Sequence, residues 1–460
     1  LVLSQVRKNP VIAALLSQHW LVELCDIIVT NKKTKFAMAA IHHYIMRITV
    51  LLILVVTCSS AHATNGINLI GFGAESTLMG GADVAVARDT SALNTNPAGL
   101  TQIKAPLLDM FGSVLRTTDL VHKDPRNEEH ASNRYTFLGG GGYARPLENT
   151  DCTVGIGLFA QGGAGGVFDN LRTPFGNRDD LSSLFGIAKI IPGIGCQVNE
   201  KLSLGASLNL VYGSIEQDFF SNTSFSAGST NFAGYKLEGA SAIRTGFKLG
   251  MQYKLTPTLT LAAAYTEKTE LPMTGGTLVA DYATLGKVKY ADASVKGFAL
   301  PREVAVGLAF KPTDEWLLSF KLNWLNWDDA INDITLRATK PNNASAPAVY
   351  PIPVAAADWK DQWVVATGVA YKWDDRTTLY AGHNYGKNPI PRQNSSPLLA
   401  GILEHHLTFG AARKIDQNWL MTGGVEWMLP VSVKYNSPLL GDSEIRNEAI
   451  FLHLMLSRRW

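Results

Sequence analysis

Beyond residue 63 the chain has no apolar run long enough to cross a bilayer as a helix, which takes about 20 residues. The one extended run, Ile48 to Val56, is about nine residues long. A helical inner-membrane protein is excluded on that ground. Charge of one sign is also missing: 41 Lys and Arg face 39 Asp and Glu, a net charge of +2. Nothing in that balance points to a nucleic-acid partner. Four cysteines in 460 residues rule out a disulfide-dense scaffold. No metal-ligand spacing, phosphate-cradling glycine loop or nucleophile elbow is present, so no metal, no cofactor and no enzymatic activity are expected.

The short apolar run has a different reading. Arg47 precedes it and Ala61-His62-Ala63 follows it, the order of a secretory signal peptide cleaved after Ala63. Residues 1–63 are therefore expected to be removed, with Thr64 as the first mature residue. A leader starting at Met38 or Met46 has normal dimensions, so the residues before Met38 are either an over-extended reading frame or a genuine extension. Cys58 raises a lipoprotein alternative, against which Thr57 is a poor preceding residue. Export leaves Cys152 and Cys196 in a compartment that permits disulfides.

From about residue 106 onward, segments of about ten residues alternate apolar with small or polar side chains, the pattern of strands that span a membrane. Ile450, Leu452, Leu454 and Leu456 share one parity, with Trp460 in step, while Ala449, His453 and Ser457 hold the other. Trp316, Leu318, Phe320, Leu322 and Trp324 alternate with Ser319, Lys321 and Asn323, and Leu202, Leu204, Ala206, Leu208 and Leu210 with Ser203, Gly205, Ser207 and Asn209. The first set in each case would face lipid and the second the lumen. A soluble sandwich alternates in the same way, so periodicity alone leaves the faces open.

Connection lengths separate the two. Tight links carrying Pro, Asn or Asp fall at residues 146–150, 198–201, 256–258, 312–315, 373–376 and 415–418. Longer polar stretches fall between them, near 119–133, 164–184, 218–241, 270–301, 328–361, 387–404 and 430–446. Strict alternation of short and long links is the asymmetry of outer-membrane barrels, with short periplasmic turns and long outer loops. The expected fold is an all-β transmembrane antiparallel β-barrel of about 14 strands over residues 104–460, in contact with outer-membrane lipid and lipopolysaccharide, most simply as a monomer. Trp316, Trp327, Trp363, Trp373, Trp419, Trp427 and Trp460 fit interfacial girdles or ordinary core packing.

Residues 64–103 do not alternate. Small residues dominate, with short helix-compatible pieces broken by Gly and Pro, and such a segment ahead of a wide barrel is a candidate N-terminal hatch inside the lumen. The blocks Asn65-Gly66-Ile67-Asn68-Leu69-Ile70-Gly71-Phe72-Gly73, Met79-Gly80-Gly81-Ala82, Asp89-Thr90-Ser91-Ala92 and Asn96-Pro97-Ala98-Gly99-Leu100 occur in this order. Together they resemble the hatch of the outer-membrane long-chain fatty-acid transporter family (FadL type), which also includes importers of aromatic hydrocarbons. The resemblance covers about forty residues. It implies uptake of a hydrophobic small molecule through a fourteen-stranded barrel, with a low-affinity groove among the outer loops, a tighter site in the lumen, and lateral release through a kinked third strand. It places Thr64, Asn65 and Gly66 at the tip facing the ligand and matches Asn96, Pro97 and Ala98 to the family signature.

The third strand is rich in glycine, and Gly155, Gly157, Gly162 and Gly163 permit a kink and a gap in the wall; room for the hatch explains them equally well. Cys152 and Cys196 fall at the periplasmic edge of neighbouring strands and could pair as a disulfide. Phe168, Phe175, Phe219, Phe220, Phe225, Phe232, Leu398 and Leu399 could line an outer groove or pack the loops among themselves. Arg244, Lys248, Lys321 and Lys414 have lumen parity and would suit a carboxylate ligand; without a cation in the pocket, uncharged hydrocarbons are the better substrate class. His405 and His406 point to opposite faces, cannot share a metal and read as surface residues. A general porin would have an open polar lumen and no hatch, and an outer-membrane enzyme would need a catalytic constellation that nothing here marks.

Overall fold

The computed structural model describes residues 65–227, 230–352, 354–399 and 401–460. The expected leader and Thr64 lie outside the described residues. Fourteen strands form the wall: β1 (Leu107–Thr117), β2 (Tyr135–Pro146), β3 (Cys152–Arg172), β4 (Arg178–Gln197), β5 (Leu202–Ala227), β6 (Thr230–Lys254), β7 (Leu259–Thr266), β8 (Glu303–Phe310), β9 (Trp316–Leu325), β10 (Gln362–Lys372), β11 (Thr377–Gly386), β12 (His405–Lys414), β13 (Trp419–Ser437) and β14 (Gly441–Arg459). Each pairs antiparallel with its sequence neighbour, and β1 pairs with β14 from Leu107↔Arg459 to Thr117↔Ala449. Closure satisfies the backbone groups that lipid could not.

The alternation resolves into two faces. On β5, Leu204, Leu208 and Leu210 are 43%, 51% and 38% exposed, while Ser203, Ser207 and Asn209 are buried. The apolar set faces outward, the inverse of a soluble barrel. Trp316, Trp363, Trp373, Trp427 and Trp460 are exposed on the same outer surface. Trp327 is not part of a girdle: it is fully buried, against Trp359.

The six tight links fall where the turn residues stand, because an Asp or Asn side chain replaces the backbone partner lost at the bend. Asn199 Oδ1 accepts from the N–H groups of Lys201 and Leu202, both at 2.9 Å. Asp374 Oδ1 accepts from Arg376 and Thr377 at 2.7 Å, and Asp416 Oδ1 from Asn418 and Trp419 at 2.8 Å.

At the opposite edge the structure departs from the expectation of long loops. Strands β3 and β4 continue as a hairpin to Arg172 and Arg178, β5 and β6 to Ala227 and Thr230, and β13 and β14 to Ser437 and Gly441. Met273–Tyr282 and Gly286–Lys296 form a further hairpin within the expected 270–301 loop. Outside the bilayer both faces of a strand can be polar, so alternation fades while backbone pairing persists.

Residues 65–103 lie within the ring, and none of them is exposed. They form α1 (Ala74–Leu78), α2 (Ala92–Thr95) and a 3-10 turn at Pro97–Gln102. Leu78, Leu93 and Leu100 are fully buried, each stabilising by about 1.5–3 kcal/mol relative to exposure. The wall's inward polar residues answer the segment's irregular backbone. Thr408 Oγ1 donates to Leu78 O (2.8 Å), Asn384 Nδ2 to Gly80 O (2.9 Å), Ser319 Oγ to Ala82 O (2.5 Å) and Ser207 Oγ to Leu93 O (3.0 Å). These donors come from the neighbouring strands β11 and β12 and from β9 and β5.

Cys152 and Cys196 are register partners at the turn-bearing end of β3 and β4, with Cα atoms 4.0 Å apart and sulfurs joined. The link closes a sequence separation of 44 residues, which in the chain-entropy account is worth about 4 kcal/mol. Cys152→Ser is therefore expected to lower the temperature at which the barrel loses its folded mobility on a semi-native gel by several degrees. Substrate uptake at growth temperature should be unchanged, and an equal fall in the reduced wild type would identify the bond as the cause.

Candidate functional site

The first described residues of the hatch segment run along the inside of β3. Asn68 bridges Gly162, Leu69 N donates to Gln161 O (3.2 Å), and Gly163 N donates to Ile67 O (3.0 Å). Gly66 is pressed against the Trp327 ring: a Cβ there would fall 2.6 Å from it. Trp327 is held in turn by its Nε1–H donating to Gln362 Oε1 at 3.2 Å.

The contact with β3 coincides with a break in the wall. Pairing between β2 and β3 runs from Pro146↔Thr153 to Gly140↔Phe159 and stops. Above it Tyr135 to Gly139 pair with β1 but not β3, and Gly162 to Phe168 pair with β4 but not β2. The segment before β2 meets β3 again at Ser132 N, which donates to Val167 O at 2.8 Å. At Gln161 the ladder shifts register, and the strand turns inward to bond the hatch segment in place of β2. Gly162 has φ +150°, and a Cβ there would lie 2.0 Å from Ile67 O; only glycine fits this approach.

A cavity of about 410 Å³ opens beside this break. Its floor is Gly66 to Ile70, one side is Gly162 to Gly165, and Leu115, Leu138, Phe185, Leu403, Met428 and Phe451 supply most of the remaining apolar surface. Among the described residues no Lys or Arg lines it; its charged or titratable members are Glu216, Glu426 and His406. Asn68, Leu69 and Ile70 also border a second, polar space of about 40 Å³ that holds Lys189, Lys248 and Lys321 with Asp83 and Glu303. Lys321 pairs with Asp83 at 2.9 Å, and Asn68 Nδ2 donates to Glu303 Oε1 at 3.2 Å. The hatch segment thus divides an apolar chamber from a lysine-bearing one.

The residues singled out in the sequence separate accordingly. Gly66, Gly162 and Gly163 line the apolar cavity, whereas Asn65 borders the polar space. Gly155 and Gly157 lie below the break in continuous ladder, opposite Ala144 and Gly142. Asn96, Pro97 and Ala98 line neither space: Asn96 is fully buried, its amide donating to Val84 O (2.8 Å) and Met251 O (3.1 Å), and Pro97 and Ala98 pack on Gly205. Lys248 is buried and Lys321 paired, but Arg244 and Lys414 are exposed.

His406 corrects the surface reading of the histidine pair. His405 stacks on His383 and Tyr385, while His406 is 1% exposed with Nδ1 2.5 Å from Glu426 Oε1. Sequence reading missed this contact and Lys189, since both depend on register between strands. The only sequence signal was parity: His406, Glu426 and His453 all occupy inward positions on β12, β13 and β14.

A model of the outer membrane protein transport family (OMPP1/FadL/TodX) matches residues 52–437 of the sequence. The chain belongs to this family. Solved structures similar to it include the Pseudomonas putida toluene transporter TodX (TM-score 0.70, 22% identity, covering 85% of this chain and 99% of that one). The Ralstonia pickettii toluene transporter TbuX (0.69, 20%, 85% and 99%) and a Pseudomonas aeruginosa FadL homologue (0.65, 16%, 87% and 100%) share the same fold. A search of curated proteins finds no match. As a member of the OMPP1/FadL/TodX family, the protein is located in the bacterial outer membrane and is a transport barrel for hydrophobic compounds.

Proposed function

We propose that this family member is a channel, not an enzyme, that admits uncharged hydrophobic small molecules of the aromatic-hydrocarbon type. It would act as a monomer, in contact with outer-membrane lipid and lipopolysaccharide. The observation that carries the reading is the apolar cavity of about 410 Å³, with no Lys or Arg among its described lining residues, beside the unpaired stretch between β2 and β3. A long-chain carboxylate would find no Lys or Arg there among the described residues and would meet Glu216 and Glu426 instead; burying an unpaired anion is strongly unfavourable. The outer hairpins support capture: Phe175 stacks on Phe225 and Phe232 at 5.1 and 4.6 Å, and the ring contacts continue through Phe219 to Tyr235 and Tyr350. In this reading a ligand moves down that aromatic path and settles against Gly66 to Ile70. It then leaves sideways past Gly162 and Gly163 into the membrane, with the hatch closing the straight route.

Uptake of labelled toluene and labelled oleate should be compared in cells carrying the intact gene and an in-frame deletion of residues 64–100. The intact protein is expected to accelerate toluene more than oleate, and the deletion to admit hydrophilic sugars. If the intact protein accelerates neither and passes sugars, the barrel is a general porin and the proposal fails.

A further inference from the structure

A chain of polar side chains reaches the wall of the apolar cavity at Glu426 and His406. Ser113 Oγ lies 2.7 Å from His453 Nδ1, His453 Nε2 lies 3.1 Å from Glu426 Oε2, and Glu426 Oε1 lies 2.5 Å from His406 Nδ1. The side chains of His406, Glu426 and His453 are only 2%, 3% and 8% exposed. A carboxylate accepts and does not donate, so each imidazole turns an N–H to Glu426, and His453 Nδ1 is left to accept the Ser113 hydroxyl. Every atom in that chain has a partner except at its end. His406 Nε2 is buried with no hydrogen-bond partner among the described residues, and the His406 ring stands in the cavity wall. An unpaired buried nitrogen in a fully bonded network is costly and calls for an explanation.

We propose that His406 Nε2 docks a single hydroxyl group on an otherwise apolar ligand, so that the channel favours phenol-like compounds over hydrocarbons of the same shape. The inference rests on the proposed uptake of uncharged hydrophobic molecules and narrows its substrate class. A hydroxyl suits the nitrogen in either protonation state, because it donates to a neutral ring and accepts from a charged one. The nitrogen exposes almost no surface in the ligand-free structure, so a ligand hydroxyl reaches it as neighbouring side chains give way, and little water competes for the bond. Discrimination of this kind is large when a binding site contains a polar group that an analogue leaves unpaired. The network through Glu426 and His453 to Ser113 fixes the ring's orientation, as a partner on the far nitrogen does for any functional imidazole.

Phenol and toluene differ by one hydroxyl in place of one methyl, and both can be titrated calorimetrically into the purified full-length protein. Their unequal affinity for water cancels when the ratio of toluene Kd to phenol Kd is compared between proteins. That ratio is expected to fall about five- to tenfold in His406→Phe, and to be largely retained in His406→Gln, which keeps an acceptor. An equal ratio in wild type and His406→Phe overturns the inference and leaves the proposed function standing. Failure of the wild type to bind either compound overturns both. Should His406→Phe not fold, nitrogen NMR of the wild-type imidazoles decides: phenol must shift the His406 Nε2 resonance and toluene must not, and an unmoved resonance with phenol bound overturns the inference.

Discussion

Replacing Gly162 and Gly163 together by valine is expected to cut toluene uptake by at least about tenfold while leaving the barrel folded. Gly162 adopts φ +150° and Gly163 φ +158°, where a β-branched residue is strained. The added Cβ atoms would fall 2.0 Å from Ile67 O and 2.3 Å from Phe185 O, both backbone atoms that cannot turn aside. Two responses are open to the chain. The strand can straighten toward β2, restoring the ladder above Gly140 and closing the break, or it can hold its course and expel the Ile67 to Leu69 segment. Either response removes the junction of cavity and break, but they differ in a second measurement: straightening leaves sugar permeability low, and expulsion raises it. The barrel itself should survive, because β3 keeps its pairing with β4 on both sides of the bulge, from Cys152↔Cys196 to Arg172↔Arg178. Heat-modifiable mobility on a gel checks this. Unchanged toluene uptake in a folded double variant would count decisively against release through β3.

How far the molecule could be read from sequence depended on the range of each interaction. Alternation and turn chemistry are local, so the fourteen strands, the lipid-facing leucines of β5 and the tight links at Asn199, Asp374 and Asp416 were legible. The outer hairpins were not, because β3, β5 and β13 lose regular alternation where they leave the bilayer while backbone pairing continues, which side-chain pattern does not report. Trp327 looked like a girdle residue because a tryptophan after a strand fits an interface as well as a core. Its burial against Gly66 and Trp359 is decided by residues far from it in the chain. The glycines of β3 were found as a group, but which of them stand at the break depends on where β2 stops pairing. The His406–Glu426–His453 chain was hidden for the same reason, its members being brought together only by the registers of β12, β13 and β14.

The Asn96 signature residue tests whether the hatch is held by packing or by directed bonds. Asn96 does three things at once: its Oδ1 accepts from Ala98 N at 3.1 Å and caps the 3-10 turn, and its amide donates to Val84 O within the hatch and to Met251 O on β6. Asn96→Ala removes all three and leaves Ala98 N and Met251 O poorly satisfied in a buried setting, a loss of about 2–4 kcal/mol. Asn96→Asp keeps the shape and the cap but sets a carboxylate oxygen against two carbonyl oxygens, so acceptor faces acceptor without water to intervene. If directed bonds hold the hatch, Asn96→Asp is the more severe change despite being nearly isosteric, and both variants admit small hydrophilic sugars in a liposome-swelling assay in which wild type is expected to exclude them. If packing of Leu78, Leu93 and Leu100 is sufficient, the two variants should behave alike and neither should leak. The ranking of alanine above aspartate in retained closure is therefore the diagnostic result, because sufficient packing predicts no difference between the two.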